Sequence, residues 1–386
     1  MFGMDHAYPD ALPQGPQRGR GAALNPGNRF ETVRLHVLGD ALDEQAAQRL
    51  TDPDAPGPVR TPTTVLPDKT RSIINHVDEQ SSRDIPFRWT INPYRGCEHG
   101  CVYCYARPTH ELLGMSSGLD FETRVVAKFD AAKLLTEELA KPSWKGEPIM
   151  LAGVTDIYQP VERELKLTRA ILEVMARCGQ PASLITKNHL VTRDLDLLSD
   201  MARKKTTHVG ISVTTLDNKL AATLEPRASS PSDRLAAIRE LSQAGVPVMV
   251  MVAPIIPGLT DREVPAILQA AADAGAQSAG YVLLRLPHQV KALFLDWLRR
   301  HVPERAGHVE SLIRQTRDGE LYDPTPGVRM RGQGQVAEQI ASMFKLFRRK
   351  TGLDTPWQGL SSEHFVRPET GGQMSLFDPP AENLFP

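Results

Sequence analysis

The sequence predicts an α/β protein, a partial (β/α)6 barrel with irregular N-terminal and C-terminal extensions. Two observations carry that expectation. From Phe87 onward, short β-branched runs alternate with stretches whose apolar residues recur at helical spacing, the pattern of a parallel sheet covered by helices. About six such pairs follow one another, short of the eight that close a full barrel. In barrels of this kind chemistry sits where strands end and helices begin, so the residues just after each strand are the ones to read for function.

Residues 1–80 are rich in Pro and Gly, most plainly in Gln17-Arg-Gly-Arg-Gly21 and around Asp52 to Pro58. They read as a flexible leader that wraps the core, with one strand expected over residues 32–38. The core is expected over residues 81–303. Its strands are predicted at residues 89–92, 149–153, 182–186, 208–213, 248–252 and 280–285. Its helices are predicted at residues 130–139, 161–177, 194–204, 232–244, 262–274 and 290–300. Leu165, Ala170, Ile171, Leu172 and Met175 show the spacing that buries one helical stripe against a sheet, and Gly179 is a plausible stop. A helical extension follows over residues 304–350, and a tail over residues 351–386 is compositionally disordered.

The chain has 386 residues, 45 basic and 46 acidic side chains, and a formal charge of -1. That balance gives no overall electrostatic footprint for nucleic acid or a membrane surface. There is no apolar run long enough for a bilayer and no signal-peptide pattern, so a cytoplasmic location without membrane contact is expected.

Cys97, Cys101 and Cys104 fall at spacing C-x3-C-x2-C, and the fourth cysteine, Cys178, is far downstream. Three clustered cysteines cannot pair evenly as disulfides, and the chain is long and cysteine-poor. A structural zinc site wants four ligands. His99 or His110 is available to complete one, although zinc motifs usually pair their ligands as two knuckles. Three thiolates on a [4Fe-4S] cube instead leave one iron free. Gly96 and Gly100 let the loop fold tightly around a bulky inorganic core.

This spacing, with the aromatic Tyr103 before the last cysteine, resembles the signature of the radical S-adenosylmethionine (SAM) superfamily. The run from Ile85 through Cys97 to Glu111 is similar to the bacterial group related to spore photoproduct lyase, often labelled DNA repair photolyases. The resemblance implies that Cys97, Cys101 and Cys104 bind the cluster, that its free iron chelates SAM, and that one-electron reduction yields a 5'-deoxyadenosyl radical for hydrogen abstraction. It also implies an electron donor such as flavodoxin or ferredoxin. Tyr103 joins the expected cofactor-binding set, as do Gly153, Thr155 and Asp156 after the second strand, at the superfamily's SAM amino-group motif; a polar turn capping the next helix is the alternative there. Lys187 resembles a SAM-contacting basic residue after the third strand, though a lysine at a strand mouth is commonly just solvated. Ser212 and Thr214 share one face of the fourth strand, toward ribose hydroxyls. Glu225 and Arg227 resemble a family stretch that meets the cofactor, the competing account being a salt bridge between the two. Residues 253–258 supply an apolar wall, and Arg285 and His288 are the guesses for substrate contacts.

One departure matters. The lyase returns a hydrogen atom from a cysteine just beyond its second strand, and the matching positions here are Val154 and Thr155. Cys178, at the far end of a helix, reads as a buried structural thiol. Thymine-dimer reversal by that route is therefore disfavoured. The substrate stays open between a DNA-associated target and a small molecule, RNA or peptide, with a non-catalytic zinc module as the outside reading.

A helix over residues 335–350 carries Val336, Ile340, Phe344 and Phe347 at apolar spacing and ends in Lys345, Arg348, Arg349 and Lys350, cations that suit the helix dipole or a phosphate. In the tail, Gln373, Met374, Ser375, Leu376 and Phe377 resemble the short peptide with which bacterial repair and replication proteins dock on the DNA sliding clamp.

Overall fold

The computed structural model describes residues 19–30, 62–77, 83–355 and 359–369. Its strands in chain order are β1 (Thr64–Pro67), β2 (Ile74–His76), β3 (Trp89–Ile91), β4 (Tyr94–Arg95), β5 (Arg124–Ala127), β6 (Ile149–Leu151), β7 (Ala182–Thr186), β8 (Thr207–Ser212), β9 (Val248–Ile255) and β10 (Ser278–Leu283). The main sheet runs β10-β9-β8-β7-β6-β3-β2. Its strands from β3 to β10 are parallel neighbours in chain order, and β2 adds an antiparallel edge on β3.

Each parallel strand is followed by a helix: α1 (Ala131–Leu139), α2 (Leu167–Cys178), α3 (Leu195–Arg203), α4 (Pro231–Gln243), α5 (Val264–Asp273) and α6 (Val290–His301). These are the six expected units of the partial barrel, with ends shifted by a few residues. The reason they assemble is apolar burial on one continuous core. Leu151, Leu184, Val209, Ile211 and Val250 of the strands pack with Ile171, Leu172, Met175, Leu198 and Ile267 of the helices, all 1% exposed or less.

The predicted helix over residues 161–177 is broken in two. Glu162–Leu165 forms a single turn, Lys166 takes a left-handed conformation at φ 53°, and α2 begins at Leu167. The break follows from Glu162, which is buried and accepts from the Tyr94 hydroxyl, from Thr168 N at 3.1 Å and from Arg193 at 2.8 Å. A straight helix would carry that carboxylate away from its three donors.

Part of the expected leader is structured. β1 pairs parallel with β5, and β4 pairs antiparallel with β5, making a three-stranded sheet beside the first barrel unit. β2 is tied further by Glu138, whose carboxylate accepts from Ile73 N and Ile74 N at 2.8 and 3.0 Å. The strand expected over residues 32–38 lies outside the described residues. At the other end, Pro303–Gln315 and Gly334–Lys350 form the helical extension, and Phe344 of the latter packs on Tyr281 with ring centroids 4.6 Å apart. Arg348 donates to Leu353 O at 3.1 Å, the helix-terminal role open to that cation. Residues 359–369 also lie against the core, with Val366 N donating to Cys178 O at 2.8 Å. Cys178 is buried at the end of α2, and burial raises its thiol pKa. No helix among the described residues is long and apolar enough to cross a membrane.

Burial pushes His208 of β8 and His110 down to about 4 from the ordinary 6.5. The unfolded chain therefore binds more protons in that window, and stability present above about 6.5 is lost as pH falls toward 4. The expected outcome is a melting temperature that declines across this range in a calorimetric pH series. His208→Gln should flatten the decline.

Candidate cofactor site

The three cysteines lie in the loop between β4 and a 3-10 turn at Arg107–Leu113. Two glycines set its path. Gly96 at φ 82° and Gly100 at φ 68° take left-handed conformations, and a Cβ at Gly100 would stand 2.8 Å from Glu122 Oε2. Arg107, fully buried, gathers the loop from inside. Its guanidinium donates to Cys101 O at 2.9 and 3.0 Å, to Ser117 O at 3.1 Å, to Gly118 O at 2.9 Å and to Glu122 Oε1 at 2.5 Å.

The thiols of Cys97, Cys101 and Cys104 are free, and Cys97 and Cys101 are buried. Burial pushes all three pKa values up; Asp156 adds to the rise at Cys97 and Glu225 at Cys101. Thiolates in such a place need a bound cation to be stable, which is what an iron-sulfur cluster supplies. The zinc alternative asks one of two nearby histidines to join the thiols on a single ion. His99 is 1% exposed, with Nδ1 3.3 Å from Asp156 and Nε2 3.2 Å from Asn188, and His110 Nε2 is 2.9 Å from Arg124 O. Among the described residues no three His, Cys, Asp or Glu side chains converge on a single ion. Three free thiols in one loop, not converged on a single ion, are a donor set whose chemistry fits the larger [4Fe-4S] cube.

The side chains expected around SAM are brought together at the strand ends, and much of their bonding capacity is spent on protein. Asn92 Oδ1 accepts from Gly153 N and Val154 N at 2.8 and 2.9 Å, and Gly153 O accepts from the Tyr105 hydroxyl at 2.8 Å. Thr155 donates to Gly96 O at 2.7 Å. Asp156 accepts from Tyr158 N, the Thr186 hydroxyl and Lys187 N at 2.7–2.9 Å and faces His99. Burial raises its pKa, but His99 and these donors outweigh that and hold the carboxyl below the usual carboxylate range. Asp156 thus ties the cysteine loop to β7 instead of standing open as an acceptor.

A second network lies under Cys101. Glu225, 2% exposed, accepts from the Tyr103 hydroxyl and from Thr214 at 2.7 Å, and pairs with Lys187 at 3.1 Å and with the buried Arg234. Lys187 also donates to Thr214 and to Ala253 O at 3.0 and 2.9 Å, so it is not a merely solvated cation. Burial raises the Glu225 pKa, but Arg234 and Lys187 reverse this and hold it far below the usual range. Ser212 is buried, and its carbonyl accepts from Arg234 at 3.1 Å. The Glu225–Arg227 salt bridge does not form. Arg227 pairs with Glu98 of the cysteine loop at 2.9 Å, and its N–H donates to His99 O at 3.2 Å.

Arg285 stands over the Tyr105 ring at 4.7 Å, next to the third cysteine, whereas His288 is an exposed residue at φ 49° with no contact to this network. Sequence reasoning missed Asn92, Arg107, Glu122 and Arg234. Arg107 had one available signal, its place three residues after Cys104. Arg234 had none, being one arginine on an amphipathic helix.

Removing Glu225 leaves two cations uncompensated in a buried place. Glu225→Leu should cost about 3–5 kcal/mol in urea unfolding, and adding Arg234→Leu should recover much of that loss.

Residues 91–271 match the family model described as the Radical SAM superfamily. An uncharacterized protein of Mycobacterium tuberculosis is 38% identical over 247 residues, covering 64% of this chain and 72% of the relative. An uncharacterized protein of Methanocaldococcus jannaschii is 31% identical over 176 residues, covering 46% of this chain and 63% of the relative. Among solved structures, a spore photoproduct lyase variant superposes with TM-score 0.50 at 16% identity, over 82% of this chain and 92% of that one, a likeness of fold. With the cysteine loop at the end of the first parallel strand and the six-unit barrel behind it, the chain belongs to the radical SAM superfamily.

Proposed function

We propose that Cys97, Cys101 and Cys104 hold a [4Fe-4S] cluster and that the enzyme uses it with SAM to abstract hydrogen from a DNA-associated substrate. The observation that supports the cluster site is three free thiols, two of them buried, in one tightly folded loop. A bound, reduced cluster would supply the one electron that splits SAM into methionine and a hydrogen-abstracting 5'-deoxyadenosyl radical.

The chain's own residues have three tasks. Lys187 brings positive charge beside Cys101 and offsets part of the repulsion among the thiolates; Arg107 does the same at Cys104. Glu225, fixed by Arg234, keeps Lys187 and Tyr103 in place, and Thr214 between them is oriented by Ala253 O. Leu284, Leu286 and Ile256 pack in the same apolar cluster as Cys101 and Tyr103, and in this proposal they keep water from a radical intermediate. Arg285, beside Tyr105, is the substrate-facing cation in this reading.

The DNA association rests on the resemblance of residues 85–111 and on the clamp-like tail at Gln373, Met374, Ser375, Leu376 and Phe377, which lies outside the described residues. Val154 packs in the apolar cluster with Cys97, Cys104 and Phe121, and Thr155 is bonded to Gly96 O, so neither offers a thiol for returning hydrogen. A reaction other than thymine-dimer reversal by that route is therefore expected.

Anaerobic protein should carry iron and sulfide that Cys97→Ala, Cys101→Ala and Cys104→Ala together abolish; colourless wild-type protein would end the proposal. Incubation with reductant, SAM and deuterated oligonucleotides should place deuterium in 5'-deoxyadenosine, and transfer from peptides or small molecules alone would reassign the substrate. For the tail, retention on immobilised sliding clamp should be lost on Leu376→Ala with Phe377→Ala, and no retention of the wild type would remove that argument.

A further inference from the structure

One described part of the leader, residues 19–30, lies directly against the cysteine loop. Gly21 N and Ala22 N donate to the two oxygens of the Glu122 carboxylate at 3.0 and 2.8 Å, and Glu122 in turn pairs with Arg107. Arg20 donates to Glu122 O at 2.6 Å and to Thr63 at 3.1 Å. Ala22, 1% exposed, packs in the same apolar cluster as Cys101 and Tyr103. The approach is as close as backbone permits. A Cβ on Gly21 would stand 1.7 Å from Gly100 O and 3.3 Å from Val102 N, and backbone cannot yield as a flexible side chain would. Further along, Asn28 donates to Glu111 O at 2.8 Å and Gln289 to Gly27 O at 2.8 Å, fastening the strap beyond the loop.

We infer that Gly21 and Glu122 are positioning residues for the cluster: the strap at residues 20–25 is the outer wall of the cofactor site. The clasp works through one carboxylate. Glu122 faces the strap with both oxygens and the cysteine loop with Arg107, so it couples the two and leaves no polar group of its own unpaired. Without the strap, the two strap N–H bonds to Glu122 and the apolar cover of Cys101 would both be lost. Water, oxygen and chelators would then reach a thiolate–iron bond that the closed strap shields. The inference rests on the cluster reading given above, but the shielding of Cys101 can be read without any cluster.

The test uses the full chain in two arms. In the cluster-free protein, iodoacetamide labelling followed by mass spectrometry should find Cys101 labelled about tenfold faster in Gly21→Val than in wild type, the rate reporting local opening. Cys178 in the same samples should be unchanged. In the iron-loaded protein, Gly21→Val and Glu122→Gln should load iron anaerobically and then lose cluster absorbance in air several-fold faster than wild type. Both variants should also lower the unfolding midpoint, Glu122→Gln because it leaves the buried Arg107 uncompensated, so unchanged Cys178 labelling is what separates local opening at the loop from global unfolding. Should Gly21→Val fail to fold, Arg20→Gln, which loses the bonds to Glu122 O and Thr63, should show the same direction with a smaller change. Equal Cys101 labelling in wild type and variants would overturn the proposal. A labelling difference in a wild type that binds no iron would instead remove the cluster reading and leave the strap as a cover of the loop.

Discussion

The cofactor site depends on one buried guanidinium. Arg107 contacts no cofactor-bearing atom, yet its donors reach the carbonyls of Cys101, Ser117 and Gly118 and the Glu122 carboxylate at once. A loop that turns three cysteine side chains inward must turn carbonyls inward as well, and a buried carbonyl without a donor is costly. The planar fork of arginine supplies several donors from one point with fixed geometry, which a lysine would not. The charge is balanced by Glu122, itself fully buried, so the pair enters the interior as a nearly neutral unit.

That arrangement explains how a chain with 45 basic and 46 acidic residues builds a local site for an anionic group. Each thiolate raises the cost of the next. The protein answers with Lys187 and Arg234 on one side of Cys101 and Arg107 near Cys104, against a single carboxylate in each network. The surplus of positive charge is small, and placement makes it effective: these cations are buried or nearly so, where Coulomb attraction is weakly screened.

The barrel was legible because each unit satisfies a local rule. β-branched runs such as residues 248–252 and stripes such as Ile171, Leu172 and Met175 declare strand and helix without reference to anything distant. The cysteine spacing declared the donor set in the same way. What escaped is what depends on partners far along the chain. β1 and β5 are short strands separated by some sixty residues, and neither carries a pattern until the other is beside it. Glu162 ended a helix early because Tyr94 and Arg193, both remote, claim its carboxylate. Arg234 and Glu122 are ordinary residues on ordinary helices until the fold closes around them.

The proposed SAM contacts show a related limit, and it bears on how the site works. Thr155 and Asp156 stand at the strand end where the superfamily pattern puts ligand-binding groups, yet their side chains hold Gly96, Thr186 and Lys187 N. A carboxylate with three donors and a facing histidine has little capacity left for an ammonium. It does have a strong effect on geometry, because it fastens the loop after β6 to the end of β7 and, through His99, to the stretch between Cys97 and Cys101. Arg227 behaves alike: it grips Glu98 instead of Glu225 and so anchors the cysteine loop to the segment after β8. The polar residues at the barrel mouth therefore act first on one another, fixing three strand ends and one loop as a rigid frame. Lys187, Thr214 and Tyr103 close around Glu225 in the same way, and it is through the charges of this network that the frame acts on Cys101.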